Sequence, residues 1–171
     1  HTSLLGQFNA SNLLAAAGTL ALLGMPWHRV VHQLELMQPV PGRMMRLGGE
    51  DDQPVVVIDY AHTPDALQSA LSAIRAHLDG KLVCVFGCGG NRDKGKRPQM
   101  ARAAELLADD IFITSDNPRH ESIGRIIDDV VAGFEQPSRA KIEPDRVVAI
   151  QRAIAGCQAA DIVLVAGKGV E

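Results

Sequence analysis

Four short, unbroken apolar runs constrain this chain more than any other feature. They are Pro54-Val55-Val56-Val57-Ile58-Asp59-Tyr60, Lys81-Leu82-Val83-Cys84-Val85-Phe86-Gly87, Asp110-Ile111-Phe112-Ile113-Thr114 and Asp161-Ile162-Val163-Leu164-Val165-Ala166-Gly167. A strand wetted on one face alternates apolar and polar residues. A strand that is apolar throughout has to be buried on both faces, the condition met by a parallel sheet sandwiched between helices. Helical patterns fall between the runs, near Asp65–Leu78, Gln99–Leu107, Ile123–Phe134 and Asp145–Ala155. The order β-α-β-α-β-α-α-β predicts an α/β fold with a doubly wound, mostly parallel, Rossmann-like sheet. Met44–Leu47 and Ala140–Ile142 are candidates for extra strands.

The residues upstream read as a short helical segment. Asn9 or Ser11 is expected to cap a run rich in Ala and Leu, which Gly24-Met25-Pro26 would end. A second helix is expected over Trp27 to Met37, with Val30, Val31, Leu34 and Met37 on one face. Pro39-Val40-Pro41-Gly42 then marks a boundary. Two helices cannot enclose a core, so residues 1–41 are expected to be the end of a preceding domain and residues 42–171 an α/β domain.

Composition narrows the partners. Seventeen basic residues against twenty acidic give a net charge of −3, which offers no basic footprint for nucleic acid. The longest apolar stretch, Leu13 to Met25, is interrupted by Gly18, Thr19 and Gly24 and is too short to span a bilayer, so no membrane partner is expected. Cys84, Cys88 and Cys157 show no CxxC spacing and read as buried, reduced thiols of a cytoplasmic protein. A zinc site built from Cys84, Cys88 and His62 lacks a fourth ligand, and no metal site is expected.

In open α/β sheets the ligand crevice lies beyond the carboxyl ends of the strands. Here all four strand-end loops are polar, charged or Gly-rich: Asp59–Pro64, Gly87–Gly95, Ser115–Arg119 and Gly167–Glu171. The second contains Gly90-Asn91-Arg92-Asp93-Lys94-Gly95-Lys96, which fits GxxxxGK, but Arg97 stands where a phosphate-binding loop needs the Ser or Thr that holds magnesium. A loop bearing Arg92, Lys94, Lys96 and Arg97 remains, suited to an anionic ligand or simply solvated. In the third loop the planar fork of Arg119 can grip a carboxylate, while Asp116 and Asn117 offer acceptors to an ammonium group and Pro118 limits the turn. The alternative is an Asp-Asn-Pro turn closed by its own side chains. Glu171 adds a second anionic group, so the loops together could bind a zwitterion. Asp59 could accept from a ribose hydroxyl or orient magnesium-bound water. His62, two residues beyond Tyr60, is either a base or a support for the loop.

The pieces Phe8-Asn9-Ala10-Ser11-Asn12, Pro41-Gly42-Arg43-Met44, Asp59-Tyr60-Ala61-His62-Thr63-Pro64, Gly87 to Pro98, Asp116-Asn117-Pro118-Arg119 and Ala166-Gly167-Lys168-Gly169 resemble, in order, the motifs of the Mur ligase family. These are ATP-dependent enzymes that add amino acids to the peptidoglycan precursor. The resemblance is to the branch adding the third residue of the stem peptide. It implies an ATP-binding central domain ending near residue 41 and a C-terminal domain that brings the amino acid. It implies ATP contacts for Asn9, Asn12, Arg43 and Asp59, with Tyr60 and His62 as loop support. Arg92, Asp116, Asn117, Pro118, Arg119, Gly167 and Glu171 match positions that hold meso-diaminopimelate, Arg119 pairing with the carboxylate that lysine lacks. The implied partners are meso-diaminopimelate, ATP and a UDP-N-acetylmuramoyl dipeptide, with Mg2+ bound mainly by the upstream part. The family's last motif reads Gly-Lys-Gly-His-Glu, and Val170 replaces the histidine here. The upstream phosphate-binding Gly-Lys-Thr loop, the modified lysine and the uridine-nucleotide domain are not in this sequence. The segment is therefore expected to fold from Gly42 onward but not to catalyse alone. The alternative function is a non-catalytic amino-acid or nucleotide-binding α/β module.

Overall fold

A computed structural model describes Leu4 and residues 6–169 of the chain. Two helices, α1 (Gln7–Leu22) and α2 (Trp27–Glu35), precede the sheet. The strands are β1 (Met45–Gly48), β2 (Val55–Asp59), β3 (Leu82–Phe86), β4 (Asp110–Ile113), β5 (Ala140–Ile142) and β6 (Ile162–Ala166). They are joined by α3 (Pro64–Arg75), α4 (Lys96–Leu107), α5 (Ile123–Val131) and α6 (Arg146–Ala155). The strand order is β1-β2-β6-β3-β4-β5. Every neighbouring pair is parallel except β1 with β2.

The apolar runs form the middle of this sheet for the reason their composition gives: every residue of β3 is buried. One face carries Leu82, Cys84, Phe86, Ile111, Ile113 and Leu164 against Leu67, Leu71 and Ile74 of α3, Met100 and Ala104 of α4 and Ile126 and Val130 of α5. The other face sets Val83, Val85, Val163 and Val165 against Ala149 and Ala153 of α6. The helices α3, α4 and α5 thus share one face, while the return crossover to β6 covers the other.

Both candidate extra strands are present, β1 shifted by one residue. β1 pairs antiparallel at the edge, and only Met45 in it is even half-buried. Several helix ends depart from expectation: α3 stops at Arg75 rather than Leu78 and α5 at Val131 rather than Phe134. The first helix begins at Gln7 with Gly6 as its cap, at φ 94, so neither Asn9 nor Ser11 caps it. Only glycine enters that conformation without a Cβ clash. Asn9 and Asn12 instead sit one turn apart inside the helix, Asn12 Nδ2 donating to Asn9 Oδ1 at 3.4 Å. The second helix stops at Glu35, short of Met37. The fourth starts at Lys96, because Asp93 accepts the Gly95 N–H at 2.8 Å and turns the chain into the helix. Pro98 is tolerated in that first turn, where amide hydrogens lack helical partners.

Two carboxylates tie the amino end of the sheet. Asp161 accepts from the backbone N–H groups of Lys81 and Gln158, both at 2.8 Å. Asp109 accepts from Leu82 N at 2.7 Å and from Arg75 at 2.8 Å. The opposite, carboxyl end is left to the four loops.

Candidate functional site

The four loops meet in a cleft of about 490 Å³ lined by Tyr60, His62, Arg92, Asp116, Asn117, Arg119, Gly167 and Lys168, among others. Four segments far apart in sequence converge there because β2, β6, β3 and β4 are successive neighbours in one parallel sheet, so all end at the same level. Pro118 is not among the lining residues, and Val170 and Glu171 lie outside the described residues.

The third loop is held by its own side chains. Asp116 Oδ1 accepts the Asn117 N–H at 2.7 Å, and Asn117 Oδ1 accepts the Arg119 N–H at 3.3 Å. These are the local bonds of an Asp-Asn-Pro turn, and they coexist with a cleft-facing role. Arg119 takes φ 50, a left-handed conformation uncommon for a side chain of its size. Its Nη1 donates to the Gly90 carbonyl at 2.9 Å. Among the described residues its Nη2 and Nε make no hydrogen bond, so half of the fork remains for a ligand. The Lys168 ammonium lies 3.5 Å from Asp116. Beneath them Arg146 donates to the carbonyls of Ala166 at 2.7 Å and Ser115 at 3.3 Å, bridging the ends of β6 and β4. Burial pulls the Arg146 pKa down, and the nearby Asp116 charge partly opposes this.

The basic loop does not act as one unit. Arg92 reaches the cleft, and Lys96 lines it while donating to the His62 carbonyl at 2.8 Å. Arg97 is turned away and fully buried, paired with Asp129 at 2.7 Å and Glu121 at 3.0 Å. Lys94 lies 3.7 Å from Glu121. Of the four cations read as suiting an anionic ligand or as simply solvated, Arg92 and Lys96 line the cleft, whereas Arg97 does neither, because a buried guanidinium needs partners and finds them on α5 and the turn before it.

A second cleft, about 560 Å³, is lined by Asn9, Asn12, Arg43 and Asp59, with apolar walls from Phe8, Val40 and Ala70. Asp59 is buried, and both of its oxygens hold backbone N–H groups: Met44 on Oδ2 at 2.9 Å and Ala61 on Oδ1 at 2.8 Å. Tyr60 stands between the two clefts. The Arg43 guanidinium sits 4.6 Å from its ring centroid, and the His62 imidazole meets it edge-on at 4.8 Å. His62 Nδ1 lies 2.9 Å from the Tyr60 carbonyl, which in the neutral ring places the proton on Nδ1. A further hollow, about 950 Å³ between α1 and α3, is lined by Leu4, Phe8 and small or polar side chains, without a convergent charged set.

Among the described residues no cluster of three or more His, Cys, Asp or Glu is placed to hold a metal. Burial pushes the thiol of Cys84 up to about 12 and that of Cys88 up to about 11, so both stay protonated. Sequence reasoning gave no weight to Lys168, Glu121 or Arg146. Lys168 was within reach, since it lies in the last strand-end loop. The other two act only through partners distant in sequence.

Comparison with known proteins bears on these clefts. The profile of the Mur ligase, glutamate ligase domain matches residues 42–169. The chain belongs to the Mur ligase family. It is 54% identical over 171 residues to the UDP-N-acetylmuramoyl-L-alanyl-D-glutamate–2,6-diaminopimelate ligase of Xanthomonas oryzae pv. oryzae, covering all of this chain and 34% of that protein. A solved structure of a ligase with the same name is 41% identical, with a TM-score of 0.73, and is matched over 99% of this chain and 34% of its own. The folylpolyglutamate synthase of Mycobacterium tuberculosis, solved with ADP and AMPPCP, shares the fold at a TM-score of 0.78 and 22% identity over 98% of this chain and 39% of its own. This member of the family thus spans about a third of the curated relative's length. No helix among its described residues is long and apolar enough to cross a membrane.

Proposed function

We propose that this chain is the amino-acid-binding part of a cytoplasmic, ATP-dependent ligase that adds meso-diaminopimelate to UDP-N-acetylmuramoyl-L-alanyl-D-glutamate. The observation carrying this reading is the strand-end cleft, where Arg92, Arg119 and Asp116 face one space. Two guanidinium groups and a carboxylate suit an amino acid with two carboxylates and two amino groups. Arg119 pairs with the carboxylate absent from lysine, and lysine would leave its fork unmatched. Asp116, Asn117 and Gly167 receive the ammonium end, Pro118 shapes the loop behind the wall, and Glu171 supplies a second carboxylate.

The second cleft is assigned to ATP, with Asn9, Asn12 and Arg43 as contacts and Asp59 holding its wall. Residues 1–41 then belong to the central domain and 42–171 to the C-terminal domain. In the reaction, ATP phosphorylates the dipeptide carboxylate, the diaminopimelate amine attacks the acyl phosphate, and phosphate leaves. This segment orients the nucleophile and closes over the nucleotide. Phosphate-neutralising groups and the site for Mg2+ come mainly from upstream, so the 171-residue segment alone does not turn over.

The test is an incorporation assay with the full-length ligase, ATP and magnesium, offering meso-diaminopimelate or L-lysine. Wild type should strongly prefer diaminopimelate. Arg119→Ala should lower kcat/KM for diaminopimelate by about 100-fold, the worth of a charge-assisted pair, while leaving lysine use little changed. Equal use of lysine by wild type, or an Arg119→Ala enzyme with unaltered preference, would refute the assignment.

A further inference from the structure

Neither Glu121 nor Arg97 lines the strand-end cleft, yet the two side chains hold together the loops that do. Glu121 Oε1 accepts the Asn91 N–H at 2.5 Å, and its Oε2 accepts from Arg97 Nη1 at 3.0 Å. Arg97 Nη2 reaches the Gly89 carbonyl at 3.3 Å, and its Nη1 is shared with Asp129 at 2.7 Å. The backbones are joined as well. Gly90 N donates to Asn117 O at 2.9 Å, and His120 N donates to Asn91 Oδ1 at 3.0 Å. Asn91 and Arg119, one on each side of this seam, are both left-handed, at φ 51 and φ 50. Left-handed side-chain-bearing residues persist where the surroundings over-determine them.

We infer that Glu121 and Arg97 are positioning residues: they lock the Gly89–Arg92 loop against the Asn117–Glu121 turn and thereby aim Arg92 and Arg119 at the amino-acid substrate. The physical case is one of connectivity. Arg92 follows the residue whose N–H Glu121 holds, and Arg119 donates to the carbonyl of Gly90, one residue from the carbonyl Arg97 holds. Removing the carboxylate leaves Arg97 buried with one acid fewer and frees the Asn91 amide. The two cationic side chains then lose their fixed separation, and a ligand with two charged ends is sensitive to that separation. The ATP cleft is bounded by different elements and is not touched by the clamp.

This inference rests on the reading of the cleft as the amino-acid site, and the experiment separates the two. In the full-length ligase, KM for meso-diaminopimelate, KM for ATP and kcat are measured for wild type, Glu121→Ala, Glu121→Gln and Arg119→Ala. Glu121→Ala should raise KM for diaminopimelate about tenfold, with KM for ATP and kcat within about twofold of wild type. Glu121→Gln keeps an acceptor for Asn91 but cannot pair with the Arg97 charge, so it should fall between them. It also carries the test should the alanine variant fail to fold. A general loss of structure would move KM for ATP and kcat together, and that outcome overturns the positioning role. Unchanged KM for diaminopimelate in both Glu121 variants, with Arg119→Ala impaired, overturns the clamp and leaves the site assignment standing. An unimpaired Arg119→Ala overturns the site assignment and the clamp with it.

Discussion

Arg119 carries two demands that conflict. Its left-handed backbone, at φ 50, costs a residue with a Cβ about 1 kcal/mol, and glycine would adopt it freely. Its guanidinium is nonetheless what anchors the turn to the Gly90 carbonyl and faces the cleft. The structure keeps the side chain and tolerates the backbone, the pattern expected where a conformation is retained for binding. Replacing Arg119 by alanine removes the guanidinium and keeps the strain, whereas glycine removes both. Arg119→Gly should therefore unfold at higher urea than Arg119→Ala, by about 1 kcal/mol in stability. Equal midpoints would show that the turn relaxes out of the left-handed region once the side chain is gone.

At the scale of elements, the seam between the second and third loops doubles as a pH-sensitive contact. The hydrogen bond from Arg97, with that from the Asn91 N–H, pulls the Glu121 carboxyl from about 4.5 down to about 2. A carboxyl depressed by folding contributes stability that is complete above its unfolded pKa and disappears as pH falls through the folded one. Between pH 4.5 and 2 the wild-type urea midpoint should fall more steeply than that of Glu121→Gln. Parallel slopes would mean that Glu121 titrates normally. Glu105 makes a similar tie on α4: burial pushes its carboxyl up, but the N–H groups of Glu135 and Gln136 and the Arg102 guanidinium bring it below the ordinary range. These contacts were not legible beforehand. The strand runs announce themselves by unbroken apolarity, and the loops follow from the strands. Arg97, however, reads as one more surface cation, because its partners Glu121 and Asp129 are 24 and 32 residues away. The edge strand β1 was only a candidate for a related reason: it is mostly exposed and carries no burial pattern to read.

For the whole molecule, the helical segment and the sheet differ in how they are held. Among the described residues of α1 and α2 only Ala17 and Val30 are buried, and Leu14, Leu22, Leu23 and Trp27 are more than 60% exposed. The central strands, by contrast, are enclosed on both faces. Few buried apolar contacts mean a low opening free energy. Amide hydrogens of α1 and α2 in the 171-residue chain should therefore exchange well before those of β3 and β6. Simultaneous exchange would show that all of it opens as one cooperative unit. That the first helices looked unable to enclose a core was readable from their number. That they lend Asn9 and Asn12 to a cleft with Arg43 was implied by the family resemblance but by no spacing in the chain, since only the three-dimensional path of the linker brings them together.

One contact in the seam limits how this site can diversify. A Cβ added at Gly90 would overlap the Pro118 carbonyl, and one added at Gly87 would overlap that of Thr114. The two loops are so closely apposed that neither can gain bulk without displacing the other. A lineage, or an engineer, seeking to accept a different ligand cannot tune the second loop and the third in separate steps. They must be exchanged together, as a single inherited cassette.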